Sequence, residues 1–324
     1  MADELIFLTE FAKGLSDPVA SGMIETLPAT SDVLDALPFK SVTQGVNRFD
    51  RETSNPAVAL RGLNEEPEIS YGTEEQFQDI VSPISGLIEF DRIKLKRYGE
   101  RKRAVYMEGQ MKAAARLATD LMINGDHSTD PREWNGLKVR CVADATGSVN
   151  GTVDKSRLVA NSTASGGAAL SLAMLDIATN QVAGATHILA PRRMRARFET
   201  AARNPSLINN RITNDMDTNL GRRVLRFGDL PFLWGYEVNR EATFLPFDEV
   251  AYGGGSAVTA SMYVVSIRED GLCGIQTSAP EFLPVDTDRG IFNRDLFEWD
   301  LGITVEDEFS ILRLSSIADA AIVA

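Results

Sequence analysis

The sequence predicts an α+β fold. Three observations carry that reading: one strong helix-periodic stripe, several period-two segments spread along the rest of the chain, and no regular strand–helix alternation or internal repeat. With 324 residues, 44% of them apolar, the chain is long enough for one large or two ordinary domains with a real core. The stripe is Ala104, Met107, Met111, Ala114, Ala118 and Leu121, spaced three and four apart, with Glu108, Lys112, Arg116 and Asp120 facing away. Its members are small, so something packs close against it, and Asn124-Gly125 ends it.

Ahead of that helix lie two unlike segments. Glu4–Lys13, Ser16-Asp17-Pro18 through Glu25, and a third piece opened by Thr30-Ser31-Asp32 read as short helices separated by breakers. Three such pieces do not make a core, and they are expected to lie on something else. From Ser41 to Ile80 the texture becomes strand-like. Val42, Gln44 and Val46 alternate with small residues, Asp50–Pro56 reads as a polar turn, and Ala57–Leu60 reads as the returning strand. This hairpin has too few large apolar residues to bury itself, and a lone two-stranded ribbon is marginal in water. It is either a flexible loop or an arm held by a neighbour.

Beyond the long helix, Leu137–Val142 alternates as a strand, Ala168–Gln181 is a second helix, and Thr186–Ala190 is a short buried strand. Pro191 opens an Arg-rich helix through Arg203. Asp229–Val238, Met262–Ile267, Trp299–Val305 and Phe309–Leu314 are further strands, with Gly253-Gly254-Gly255 in a loop.

Charge is unevenly placed. The net charge is −13, from 33 basic and 46 acidic residues, which argues against a generic nucleic-acid reader. Only eight of the basic residues are Lys, the last being Lys155. Arg192–Arg226 holds nine Arg against Glu199, Asp215 and Asp217, whereas Phe227 onward holds five Arg against 17 acids. Arg92–Arg103 holds seven basic residues against Glu100, and Asn47–Asp79 holds three Arg against eight acids. Opposite-sign segments in one chain suit pairing between copies, between domains, or simply solvated faces. The start of the chain lacks a signal-peptide pattern, and no run approaches the ~18 apolar residues of a membrane helix, so no membrane is expected as a partner. Two cysteines, Cys141 and Cys273, make no disulfide framework and point to a reducing interior.

Catalytic motifs are missing. The two histidines, His127 in a polar loop and His187 in an apolar strand, fit solvated and core roles. There is no Gly-x-Ser-x-Gly elbow, phosphate-binding loop or His-Glu-x-x-His pair. Asp126–Asp130 and Asp286–Asp288 alternate oxygens but lack the glycine and closing Glu of a calcium loop. No catalytic residue, cofactor or metal is assigned.

The order of parts does resemble a known family. Ser16-Asp17-Pro18 through Thr26 with Leu34–Pro38, Ile123–Asp126 followed by Asp130–Leu137, Thr186–Met194, and Leu230–Val238 are together similar to the major capsid protein of tailed bacteriophages, with the Hong Kong 97-like capsid fold. The resemblance spans nearly the whole chain through order and spacing. It implies an N-terminal arm (1–40), an extended hairpin loop (41–90), a peripheral domain with a spine helix (91–163), an axial domain (164–284) and return strands (285–324).

The function it implies is an icosahedral shell, in the virion and assembled in the bacterial host cytoplasm, that encloses double-stranded DNA without sequence-specific binding. The partners are other copies of itself in hexamers and pentamers, a portal protein, a separate scaffolding protein or protease, and a decoration protein as a further candidate. Arg48, Arg51 and Arg61, with Glu65 and Glu66 on the hairpin, and Arg192, Arg193 and Arg197 are the expected inter-subunit contacts, because the guanidinium fork suits carboxylates. Rival readings are an encapsulin-like compartment shell and a soluble α+β hydrolase. The type member cross-links a loop lysine to a neighbour's asparagine, but here no lysine lies between Lys40 and Lys94. Denatured particles should therefore run as single chains in mass spectrometry, and a covalent ladder would overturn that expectation.

Overall fold

Met262-Tyr263-Val264-Val265 is an unbroken apolar run whose four residues are fully buried, because their strand carries a core on either face. This is seen in a computed structural model that describes residues 7–8, 26–27, 29–63, 65–66, 68–142, 157–204, 212–216, 223–238, 242–285 and 292–323. The run belongs to an eight-stranded sheet of β5 (Leu158–Ala160), β6 (His187–Leu189), β7 (Ile212–Met216), β8 (Arg223–Phe227), β9 (Leu230–Leu233), β12 (Glu249–Val250), β13 (Ala257–Val265) and β16 (Ile311–Ala318). Its order is β5-β16-β13-β6-β9-β8-β7, with β12 beside β13. Side chains alternate across a strand. Met262, Val264, Ile188, Phe232 and Leu314 therefore enter one core, while Tyr263, Val265, Leu189, Leu233 and Ile311 enter the other.

The first-named core is closed by α5 (Leu172–Gln181) and α6 (Met194–Ala201), with Phe198 packed 4.5 Å from Phe232 and Phe232 5.3 Å from Trp234 between ring centroids. The second core lies under α3 (Glu100–Asn124) and a four-stranded sheet. That sheet runs β1 (Phe39–Ser41), β14 (Leu272–Val285), β15 (Phe292–Val305), β4 (Ser82–Asp91), with β1 parallel to β14 and the rest antiparallel. Two small ribbons complete the strands: β2 (Val46–Ser54) with β3 (Thr73–Ile80), and β10 (Glu237–Val238) with β11 (Ala242–Thr243). The remaining helices are α1 (Asp32–Ala36), α2 (Arg92–Tyr98) and α4 (Leu137–Arg140).

The long helix forms where its stripe places it. Met107, Met111, Ala114 and Ala118 are buried, joined by Ala115, Thr119 and Met122, while Ala104 near the start is exposed. The buried face is wider than the stripe because α1 covers a second side: the Thr119 hydroxyl donates to Ser31 Oγ at 2.9 Å. At its end Gly136 N–H donates to Gly125 O at 2.8 Å. A Cβ on Gly136 would sit 2.6 Å from the Ile123 carbonyl oxygen, so only glycine lets the two backbones meet.

Several sequence expectations are corrected. Leu137–Val142 does not form a strand; Leu137–Arg140 is one helical turn, closed by Arg140 N–H to Gly136 O and Cys141 N–H to Leu137 O. Burial of Leu137 against the spine helix selects that conformation over its alternation. In the hairpin, Asp50–Ser54 continues the first strand instead of turning, and Ala57–Leu60 is irregular. The paired helix after Ala168 starts only at Leu172, because Ala168 and Ser171 bridge to Ile317 and Val323. The third N-terminal piece folds onto its own chain: Val33, Leu34 and Leu37 lie in the core under α3, as do Leu8 and Leu27. The expected helices over Glu4–Lys13 and through Glu25 lie almost entirely outside the described residues.

One ion pair sits within the wall between the cores. Arg313 Nη2 lies 2.9 Å from Glu249 Oε2, with Arg313 Nε donating to Ser261 Oγ at 2.9 Å and Lys138 Nζ 3.3 Å from Glu249 Oε1. Burial acts to raise the Glu249 carboxyl, but Arg313, the Ser261 hydroxyl and Lys138 hold it below its ordinary value. Its folded value lies below its unfolded one, so the contribution is complete above the ordinary value of 4.5 and is lost as pH falls through the folded value. Arg313→Met should cost about 3 kcal/mol in denaturant titrations of the unassembled subunit. In the same assay Glu249→Gln should flatten the loss of stability on acidification below 4.5.

Candidate assembly surfaces

The hairpin is built as a clamped root and a free tip. Its strands pair from Val46↔Ile80 to Ser54↔Thr73, with Phe49 and Phe77 stacked at 6.1 Å on one face. The Arg51 guanidinium lies over the Phe77 ring at 4.5 Å. From there Nη2 donates to Val305 O at 2.9 Å, Nε to Glu306 O at 3.0 Å and Nη1 to Glu308 Oε2 at 3.3 Å. Asn47 Nδ2 donates to Thr304 Oγ1 at 3.0 Å. Asp79 accepts from Thr304 Oγ1 at 2.8 Å and from Arg140 Nη2 at 2.6 Å. Three hairpin residues thus hold the end of β15.

Among the described residues nothing comparable holds the tip beyond Ser54. Between residues 58 and 71, Val58, Leu60, Leu63, Ile69 and Tyr71 are exposed by 81% (Ile69) to 105% (Leu60) of their surface. Scattered exposed apolar residues are ordinary, but five in one loop form a patch of the kind that marks an interaction site. Arg61 and Glu65 shape this tip internally: Arg61 Nη1 donates to Glu65 O at 2.9 Å and Gly62 N–H to Glu65 Oε2 at 2.7 Å. Glu66 is exposed beside them, and Arg48 is exposed on β2 opposite Gln78.

The Arg-rich helix α6 is engaged with its own chain as well. Arg193 Nη2 and Arg197 Nε reach the two carboxylate oxygens of Asp319 at 3.2 and 3.1 Å, and Arg193 also lies over Phe247 at 5.5 Å. Arg195 pairs with Glu199 at 3.2 Å, and Arg192 is exposed. The residues that sequence reasoning missed are the acceptors, Glu306, Glu308, Asp79 and Asp319. They lie far along the chain from their arginines, and no local pattern marks them.

The side chains that a catalytic reading would need are otherwise engaged. Burial pushes the Cys141 and Cys273 thiols up to about 12, so neither is a thiolate at neutral pH. Burial and then Arg226 lower His187 to about 4, leaving it neutral, with Nδ1 3.0 Å from Thr186 Oγ1. His127 Nδ1 sits 2.9 Å from the Glu133 carbonyl. The Asp126 carboxylate accepts from Ser128 N–H, Ser128 Oγ and Thr129 Oγ1, hydrogen bonds that close its loop and lower its pKa. Asp286–Asp288 lies outside the described residues. Gly253 passes so close to Thr163 O that a Cβ there would lie 2.1 Å away; its loop is packed and is no phosphate cradle. Among the described residues no group of three or more His, Cys, Asp or Glu is placed to hold a metal ion.

No family model and no curated protein matches this sequence. Solved structures do match over nearly its full length. The holo-SrpI encapsulin of Synechococcus elongatus PCC 7942 superposes with a TM-score of 0.60 at 11% identity, covering 89% of this chain and 88% of that one. The capsid of a native GTA particle gives 0.58 at 12%, covering 86% and 88%. A structure from Mycobacterium phage Adephagia gives 0.54 at 11%, covering 90% and 91%. The chain has the Hong Kong 97-like capsid fold. The α+β reading holds, with the hairpin β2–β3 and the long helix α3 both present.

The clamp and the tip make separable predictions. Arg51→Ala should destabilise the unassembled subunit by about 2 kcal/mol, through three lost hydrogen bonds and a lost ring contact. Arg61→Ala, in an exposed turn, should stay within about 0.5 kcal/mol of wild type in the same denaturant titration.

Proposed function

We propose that this chain is the major capsid protein of a tailed double-stranded DNA bacteriophage, in which many copies close into an icosahedral head shell. The observation that carries the reading is the exposed apolar tip on a clamped hairpin: a subunit that invests this much order in a projecting arm has a binding partner for it. A shell subunit makes several moderate contacts, each on the order of 800 Å² per partner, and they must close by symmetry. A neighbouring copy supplies such a surface to every tip. The role is structural, and no catalytic step is assigned.

The division follows the resemblance: arm 1–40, extended loop 41–90, peripheral domain 91–163, axial domain 164–284 and return strands 285–324. The eight-stranded sheet takes β5 from the third of these parts, β16 from the last and its other strands from the fourth. Hexamers and pentamers of this chain, a portal protein, and a scaffolding protein or protease are the implied partners, with a decoration protein as a further one, in a virion assembled in the host cytoplasm. Of the arginines named from the sequence, Arg48 is exposed on the hairpin with the reach to meet a neighbour's carboxylate, whereas Arg51, Arg193 and Arg197 also serve their own chain.

An encapsulin-like compartment shell is the second reading, favoured by the similarity to the Synechococcus elongatus encapsulin. Both shell readings expect megadalton particles by electron microscopy and size-exclusion chromatography, whereas a hydrolase expects a small monodisperse species. Particles that copurify with DNA support the capsid, and particles with protein cargo support the compartment. Leu60→Asp with Leu63→Asp should abolish particles while leaving the subunit's melting temperature unchanged; particles of normal yield would overturn the docking role of the tip.

A further inference from the structure

The segment Arg92–Arg103 carries the densest positive charge of the chain, and the contacts above leave five of its cations without a use. Helix α2 (Arg92–Tyr98) has no buried residue, and Gly99, at φ 74°, turns the chain into the first turns of α3. Lys94, Lys96, Arg97, Arg101 and Lys102 are all exposed, and none lies within ion-pair distance of a carboxylate among the described residues. Four acids nearby are already committed. Glu89 pairs with Arg294 at 2.6 Å, Asp295 takes a two-point fork from Arg103 at 2.7 Å, Glu108 pairs with Lys112, and Asp91 caps Ile93 N–H at 2.7 Å. The other basic segment differs, since Arg193, Arg195 and Arg197 are paired with Asp319 and Glu199.

The kind of cation matters. This chain uses Arg where a carboxylate is gripped by a two-point fork, as at Arg103 and Arg140. Yet three of its eight lysines, Lys94, Lys96 and Lys102, fall in this one ridge. Lysine is a mobile, strongly hydrated point charge that needs no fixed partner geometry, which suits a row of phosphates better than a particular carboxylate. Exposed Tyr98 and Tyr106, the latter 5.4 Å from Lys102 Nζ, add flat apolar surface between the charges.

We infer that Arg92–Lys102 is a sequence-independent binding ridge for the phosphate backbone of double-stranded DNA. The rest of the chain is net acidic, and in its other basic segment Arg193, Arg195 and Arg197 are paired with carboxylates of their own chain, so the ridge is the contact proposed. Within the capsid reading on which its biological setting rests, the packaged genome touches the wall at one repeated basic spot per subunit and is repelled elsewhere. The tip of a neighbour's hairpin fits the ridge less well, because Glu65 is consumed in its own turn and Glu66 and Glu68 offer fewer charges than the five cations of the ridge.

The test is fluorescence anisotropy of a labelled duplex with the purified unassembled chain across a salt series. Wild type should bind two unrelated duplexes alike, losing on the order of 10²–10³-fold in affinity between about 50 and 200 mM salt, as five phosphate contacts require. Lys94→Gln/Lys96→Gln/Arg97→Gln should bind at least tenfold more weakly and lower the log–log salt slope by about 3, with an unchanged melting temperature. Lys96→Gln alone should lower the slope by about 1 and serves if the triple variant melts early. A wild-type slope in the variants, or displacement of the duplex by a peptide spanning residues 55–72, would overturn the inference, the second result assigning the ridge to a neighbour's hairpin. Particle formation, scored separately by microscopy, judges the shell reading: shells without duplex binding sink only the ridge, and duplex binding without shells sinks only the capsid.

Discussion

A strand buried on both faces has no solvent side, and that constraint organises this molecule. Strand β13, with β6, β9 and β16 around it, sends alternate side chains into two cores, so neither core closes without the other. A one-residue slip of β13 would exchange Met262 and Val264 with Tyr263 and Val265, placing each set in the wrong core. The Arg313–Glu249 pair with Ser261 and Lys138 adds a polar fixture to the same wall, one whose geometry is met in a single register. Shared walls make a subunit stiff across its two lobes, which suits a part that must present several surfaces at fixed angles.

The second principle is that arginine is spent inside the subunit before it is offered outside. Arg51, Arg103, Arg140, Arg193, Arg197 and Arg313 each close a gap between segments far apart in sequence. Several are bidentate or partly screened from water, where such a fork is worth more than an exposed pair. The net acidity of −13 is thus carried by a chain whose cations are largely committed, which makes the exposed lysines near the start of the spine helix stand apart.

Legibility in the sequence followed the range of the interactions. The spine helix was readable because its stripe is local and its end is marked by Asn124-Gly125. The buried strands at Thr186–Ala190 and Met262–Ile267 were readable as apolar runs, though which core each side chain enters was not. Leu137–Val142 misled because its alternation is real, but tertiary burial of Leu137 and the Arg140–Asp79 pair decide its conformation. In the hairpin, Asp50, Arg51 and Glu52 look like turn residues, and only the stacked Phe49–Phe77 pair and the clamp on β15 make them strand. Among the candidate contacts, the arginines were visible from the sequence and their partners were not, since Glu306, Glu308 and Asp319 are acids without local context.

The clamped root has a mechanical consequence. Beyond the clamp at Arg51 the first strand runs three more residues to Ser54, a lever of roughly 10 Å at about 3.3 Å per residue. With the fulcrum set by Asn47, Arg51 and Asp79, an angular play of about 5° there displaces Ser54 by about one ångström, and the tip beyond it by more. Substitutions at the fulcrum therefore act as errors of aim, felt at a contact they never touch.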